Sequence, residues 1–322
     1  MNKKKITLVV ASVLVLLAII GGIFAWRSAQ QKRTYEQALA SYDNEDFQTA
    51  ANLFESLGNY EDSETRYQSC QYELTVDRRF LRAMAQGLVA RWESDLDTSD
   101  PVAMQKTVET ELSGLKEFKN ITFEDSQLQQ YAVDYITALE DSIDALTFAQ
   151  SDYLTYDTLW NQCYLQRSKV IVALYNNYAL PIDSSYADVI REFDNAVKSA
   201  EKQQAELDTL KDILKNNMTL ELDGPMVYDG YLATGTAELC INNTSAYDLD
   251  DMYVEFTYYT ANGKKTTTYT NVIVSAYAGQ SIREPVNLFV SDNYDPDGYW
   301  KINYPSIQCR FNDNSYEKLF TE

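Results

Sequence analysis

The chain of 322 residues contains no histidine. That removes the commonest general base, the usual catalytic triads and most zinc sites. Cysteine is scarce. Cys70, Cys163, Cys240 and Cys309 stand far apart with no CxxC pair, so a metal cluster is not expected. Only Cys240 and Cys309 fall in one predicted domain. By strand alternation Cys240 points away from Leu239 and Ile241, whereas Cys309 points with Ile307 and Phe311, and opposite faces disfavour a disulfide. Gly-rich phosphate loops and a G-x-S-x-G elbow are missing too. Chance carboxylate pairs abound among 48 acids, but none stands out as a glycosidase-like pair. The chain is therefore expected not to be an enzyme.

Basic residues are also few: 27 Lys and Arg against 48 Asp and Glu. The first 33 residues hold six of those basic residues and no acid, so the remainder carries 21 basic residues against 48 acidic ones, a net −27. A body this acidic excludes a nucleic-acid footprint, which needs a basic face. It also argues against lying flat on anionic lipid.

Glycine is absent between Gly114 and Gly224. Six of the eleven glycines, four of the six prolines and twelve of the 25 tyrosines fall after residue 217. A glycine-free block followed by a Gly-, Pro-, Tyr- and Thr-rich block predicts helices first and strands second, with the boundary near Asn216–Thr219.

One long apolar run is present, Ile6–Trp26, without a charge over 21 residues. A helix of that length covers the hydrocarbon core of a bilayer. The run is longer than a signal peptide's apolar region, and Trp26-Arg27 stands where a cleavage site needs small residues. An uncleaved anchor through residues 6–26 is expected, with the lipid bilayer as partner and Trp26 at the interface. Moving Met1-Asn2-Lys3-Lys4-Lys5 across would carry three lysines and the terminal amine through the membrane. The expected topology is a stub of residues 1–5 inside, a tether at 27–33, and an extracytoplasmic body.

Residues 34–75 read as short helices. Glu45-Asp46-Phe47-Gln48-Thr49-Ala50 and Gly58-Asn59-Tyr60-Glu61-Asp62-Ser63 each give a turn, an aromatic and a small residue opening a helix. The segment resembles the tetratricopeptide repeat, in the LGDY-x-DS variety common near the anchors of Gram-positive surface proteins. It departs from that pattern at Glu45, where the turn glycine is expected. A single repeat cannot bury its own core, so it must pack on the helices that follow.

Residues 76–216 read as a helical bundle. Phe80, Met84, Leu88 and Trp92 recur every four residues, and Asp100-Pro101 is a cap followed by proline at the first helical position. Arg167 falls at an apolar slot and should reach a carboxylate or solvent. Ser185-x-x-Asp188 reads as the capping pattern that opens the last helix.

Residues 217–322 read as strands of period two: Met218–Leu222, Leu232–Ile241, Met252–Tyr259, Thr266–Val274, Ile282–Val290 and Tyr299–Phe311. Gly235, Asn242–Ser245, Asn262-Gly263 and Ala278-Gly279-Gln280-Ser281 resemble the running pattern of FxLYD-like, immunoglobulin-like domains of bacterial surface proteins. The resemblance implies a β-sandwich and is nearly silent on activity. The expected fold is thus multidomain, α then β: a transmembrane helix, an all-α tetratricopeptide-like and bundle region, and a C-terminal immunoglobulin-like sandwich.

Two site expectations follow. Asn293-Tyr294-Asp295-Pro296-Asp297-Gly298 matches the first half of a calcium loop, with Asn293, Asp295 and Asp297 as oxygen donors. Tyr304 stands where the bidentate Glu belongs, and Asp-Pro-Asp-Gly is equally a good turn. Tyr258, Tyr259, Tyr294 and Tyr299 are candidate binding residues, because Tyr258 and Tyr259 must point to opposite faces of one strand. The expected function is a membrane-anchored, non-catalytic binding or scaffold protein with a protein or envelope partner. The alternatives are a regulatory or sensory ectodomain of a membrane complex and a cell-envelope hydrolase.

Overall fold

The computed structural model describes residues 3–97, 99–224, 226–228, 233–266, 271–290, 294–312 and 314–316, with backbone alone at 3–20, 226–228, 233, 234, 266 and 305. An N-terminal helical region is followed by antiparallel β-sheets, and the change of period falls between Asn217 and Met218. The chain forms two compact units, 1–197 and 198–322.

The helical unit runs α1 (Lys3–Asp43), α2 (Phe47–Leu57), α3 (Ser63–Glu73), α4 (Val76–Trp92), α5 (Pro101–Ser113), α6 (Ser126–Leu146) and α7 (Tyr153–Asn177). It ends in the first half of α8 (Ala187–Asp212). α1 is continuous, so residues 27–33, expected as a tether, are helical; Ser-Ala-Gln-Gln-Lys-Arg contains no breaker. Among the described residues no helix is long and apolar enough to cross a membrane. The side chains of residues 6–20, most of the expected anchor, lie outside the described set.

The first turn of the unit depends on one strained residue. Glu45 has φ +60°, the left-handed region that a glycine would occupy without cost. Asp46 then caps α2 by accepting from the Thr49 backbone N–H at 3.1 Å. Ala50 and Ala51 are fully buried and let α1 and α2 approach, with Phe54, Leu57 and Cys70 filling the seam.

A larger core forms from α4 to α8. Phe80, Phe118 and Phe123 meet edge to face at 5.5–6.2 Å, packed with Met84, Leu88, Leu139, Ile171 and Leu174. Asp100 caps α5 through the N–H groups of Val102 and Ala103. The start of α8 differs from expectation. A 3-10 turn at Ser184–Tyr186 precedes the helix, and Asp183 caps that turn by accepting the Ser185 N–H at 2.8 Å.

The β unit begins inside α8. Leu210, Ile213 and Leu214 are buried with Leu239, Val254, Phe256 and Ile307 in one core. One sheet is centred on β3 (Ala233–Asn243), which pairs β1 (Met218–Asp223) and β2 (Met226–Tyr228) along one edge and β7 (Gln280–Val290) along the other. The second sheet is centred on β4 (Leu249–Tyr259). It pairs β5 (Lys265–Thr266), β6 (Asn271–Ala276), β8 (Tyr299–Ile302) and β9 (Gln308–Phe311), and β10 (Asn314–Tyr316) adds to β9. All these pairings are antiparallel. The expected strand Tyr299–Phe311 is two strands, because a 3-10 turn at Tyr304–Ser306 carries Pro305, which has no N–H to give to a ladder.

Asn243 closes one end of this unit. It is fully buried, donates to the carbonyls of Tyr247 and Ala276 at 2.8 and 2.9 Å, and accepts from Ser245 N–H and hydroxyl. Gly279, at φ +66°, donates to the Ser245 carbonyl at 3.1 Å. The Asn-x-Ser and Ala-Gly-x-Ser motifs therefore meet in one corner. Cys240 and Cys309 are both free thiols, and Cys309 is buried, its pKa pushed up to about 12.

Candidate functional site

The other end of the β unit gathers aromatic rings. In β4, Phe256 and Tyr258 face inward and Tyr259 faces out. β8 lies beside it, pairing Tyr258 with Trp300 and Tyr259 with Tyr299. Alternation then places Trp300 against Tyr258, with centroids 5.4 Å apart. On the outer face Tyr259 and Tyr299 stack at 5.6 Å, with planes 14° apart. The Lys301 ammonium stands 5.3 Å from the Tyr299 centroid and 5.6 Å from that of Tyr259.

The turn before β8 is tied down on this pair. Tyr258 is 1% exposed, donates its hydroxyl proton to the Asp295 carbonyl, and accepts from the Asp295 N–H at 3.1 Å. Burial raises the Tyr258 pKa. Tyr294 stacks on Tyr258 at 6.2 Å and 18°. Gly298 is needed for space: a Cβ there would collide with the Tyr258 hydroxyl and lie 2.7 Å from the Tyr259 carbonyl oxygen.

A cavity of about 330 Å³ opens here between Leu222 and Leu288 of one sheet and Tyr258 and Trp300 of the other, with Tyr294 and Tyr299 along its wall. Its volume is at the lower end of small-ligand sites. The Trp300 indole N–H is buried and has no acceptor among the described residues. All four expected tyrosines thus converge on one end of the β unit: Tyr258, Tyr294 and Tyr299 line the cavity, and Tyr299 also stacks with Tyr259 on the outer face. Sequence reasoning missed Trp300, although the alternation in Tyr299-Trp300-Lys301 places it on the cavity side. It also missed the role of Gly298.

Of the expected calcium donors, Asn293 lies outside the described residues. Asp295 accepts the Asp297 N–H on Oδ1 at 3.0 Å and the Ala261 N–H on Oδ2 at 2.8 Å. Both carboxylate oxygens thus face amide protons, as in a turn that ties two loops together. Among the described residues no group of three or more His, Cys, Asp or Glu could hold a metal ion.

The helical unit holds another kind of cluster. Glu111 is fully buried and accepts from Arg167 Nη2 at 2.8 and 2.9 Å, from Arg91 Nη1 at 2.7 Å, and from the Tyr135 hydroxyl. Burial pushes the Glu111 pKa up, but Arg167 and Arg91 outweigh it and hold the carboxyl below its usual range. Gly87 lets α4 approach: a Cβ there would lie 3.0 Å from the Glu111 carbonyl oxygen. Grooves also lie among the described residues of this unit's surface. One of about 520 Å³ runs between α6 and α7 over Ala138 and Cys163. One of about 530 Å³ is lined by Phe47, Arg78 and Arg82, both arginines paired with Glu73.

No family model matches the chain, and no curated protein matches it. Among solved structures, the DNA-bound alkylpurine DNA glycosylase AlkC of Pseudomonas fluorescens is 10% identical, with 84% of each chain covered and a TM-score of 0.21. At that score the likeness carries no argument.

Proposed function

We propose that this chain is a membrane-anchored, non-catalytic protein that presents a binding surface at the aromatic end of an immunoglobulin-like β-sandwich. The observation that carries the reading is the convergence of Tyr258, Tyr259, Tyr294, Tyr299 and Trp300 on one end of the β unit, where a cavity opens. Tyrosine and tryptophan add contact area with little rotamer loss, which suits them to recognition. The apolar run at residues 6–26 supports the anchor, and the cost of carrying Lys3, Lys4, Lys5 and the terminal amine through the bilayer supports an inside N-terminus. The Asn-x-Ser corner and the Ala-Gly-x-Ser turn support the immunoglobulin-like reading. The paired helices around Ala50 and Ala51 support a tetratricopeptide-like stem.

A photo-crosslinking residue in place of Tyr299, in the intact chain in its native membrane, tests this. Tyr299 is 41% exposed. A discrete adduct is expected on irradiation, absent when the same residue replaces the exposed Glu192 of α8. No adduct at position 299, or the same adduct at both positions, would overturn the reading.

A further inference from the structure

We infer that the groove between α6 and α7 docks an amphipathic helix of a partner protein, one with an apolar stripe flanked by lysine or arginine. This surface belongs to the helical unit and owes nothing to the aromatic end of the β unit.

α6 carries two stripes at helical spacing. Leu128, Ala132, Tyr135, Leu139, Ser142 and Leu146 are all buried, and they serve the fold. Asp134, Ala138, Asp141 and Ala145 recur at steps of four, three and four along a second face, and all four line the groove. Leu159, Cys163 and Gln166 of α7 line it from the other side, at steps of four and three. These are the steps by which the ridges of one helix pack on another. Alanines in the floor leave room for a further helix to come close. The groove holds about 520 Å³, and the surface it offers is mostly apolar.

The charges decide what kind of helix fits. Asp134, Asp141 and Asp144 line the groove, and no described lysine or arginine does. α6 contains no basic residue at all. Its Glu140, outside the groove, is paired with Lys119. Among the described residues no ion pair holds Asp134, Asp141 or Asp144. Asp144 also stands in the last turn of α6, at the negative end of the helix dipole, where an acid weakens the helix. Nothing in the helix itself accounts for that choice. Asp134 and Asp144 are ten residues apart, roughly 15 Å along the axis, so one metal ion cannot bridge the row. A helix with cations along its flanks can meet all three carboxylates. An acidic partner would be repelled, and so would a second copy of this chain, whose residues beyond 33 carry a net −27.

Calorimetric titration of the full chain in phosphatidylcholine nanodiscs, with empty nanodiscs as the blank, tests this. The probe is a designed peptide with leucine and alanine along one face and lysine on both flanks. At about 20 residues it forms a helix roughly 30 Å long, the length of α6. At about 0.15 M salt it is expected to saturate with a dissociation constant on the order of 100 μM or below. The same peptide with two central prolines keeps the charge and loses the helix, and should bind at least about tenfold more weakly. With glutamate for every lysine, the peptide should not saturate. The triple variant Asp134→Asn, Asp141→Asn and Asp144→Asn should weaken the lysine peptide by about tenfold. A matched triple variant at exposed positions outside the groove, Glu55→Gln, Glu64→Gln and Glu192→Gln, changes the net charge equally. It should weaken the peptide by less than about threefold. Equal binding of the proline peptide, or equal losses in the two triple variants, would reduce the effect to attraction by net charge and overturn the inference. So would saturation by the glutamate peptide, or none by the lysine peptide. The peptide comparison needs no variant, so a misfolded mutant does not remove the test.

Discussion

The two units of this chain put their costly groups in opposite places. In the helical unit the charges are at the centre: Glu111 is fully buried and Arg167 is 4% exposed, clasped among α4, α5, α6 and α7. In the β unit the centre is apolar, built from Leu239, Val254, Phe256 and Ile307, while Asn243 and Ser245 are buried at one end and the tyrosines gather with Trp300 at the other. A charge cluster in the middle of a bundle fixes which helices meet and in what register, but no ligand reaches it. An aromatic cluster at the open end of two sheets contributes less to the fold and can be reached. The difference teaches that the buried ion cluster of this protein marks its architecture, while the candidate site lies among uncharged rings.

The sharpest way to break that comparison is to cut the chain. The β core includes Leu210, Ile213 and Leu214 of the helical segment before Met218, and Glu206 accepts from Asn314 and the Tyr316 hydroxyl. A fragment of residues 198–322 should give one cooperative melt with a β-type circular dichroism spectrum. A fragment of residues 218–322 loses three buried aliphatic side chains, each worth about 2–5 kcal/mol. Together these are comparable to the whole stability of a small domain. It should remain unfolded, and a cooperative melt of the shorter fragment would show the helical segment to be dispensable.

Next in size is the buried ion cluster. Arg167→Ala leaves Glu111 with one guanidinium fewer and should cost about 3–5 kcal/mol in the helical unit, read from urea unfolding, with the β transition unmoved. The cluster also predicts a pH dependence. The Glu111 pKa lies below its ordinary 4.5 in the folded unit, so its stabilisation is complete above about pH 4.5. It is lost as the pH falls from there through the lowered folded value. Other capping carboxylates in the same unit, such as Asp46 and Asp125, titrate in the same direction. The decisive comparison is therefore with Glu111→Gln, whose acid-side slope should be shallower. Equal slopes would remove Glu111 from the acid sensitivity.

A smaller effect is expected at the closed end of the β unit. Asn243→Ala deletes the amide that donates to the Tyr247 and Ala276 carbonyls and accepts from Ser245. The expected loss is about 1–3 kcal/mol for each buried group left unsatisfied, confined to the β transition.

Much of this arrangement was legible in the sequence, for identifiable reasons. Glycine and tyrosine usage placed the change from helix to strand beside Met218. The apolar slot at Arg167 announced a buried charge with a carboxylate partner, and the adjacent Tyr258 and Tyr259 announced one inward and one outward ring. Other features carry no local signal. Glu111 lies between Val108 and Leu112, a spacing that does not distinguish a core acid from a flanking one. Ile190 and Phe193 serve one core, and Leu210 and Leu214 serve another. The spacing of three and four along α8 is the same for both, so periodicity cannot show where the compact unit changes. Alternation sets Trp300 opposite Tyr299 and Lys301, but its partner Tyr258 is known only when β8 lies beside β4.

The smallest predicted effect is the most informative about function. Tyr259 and Tyr299 form a cross-strand pair on the outer face, with Tyr299 41% exposed and Lys301 beside both rings. A cross-strand aromatic pair at such a position contributes roughly 0.2–1 kcal/mol. The ammonium adds about 0.5–1 kcal/mol at an exposed site. Tyr259→Ala, Tyr299→Ala and the double variant should therefore shift the β transition by about 1 kcal/mol or less, with a coupling energy inside the same range. Those rings would then be largely free of structural duty, as a recognition surface requires. A loss several times larger, on the scale of a buried aromatic, would make the outer pair part of the fold, and binding would then have to lie in the inner cavity beside Trp300.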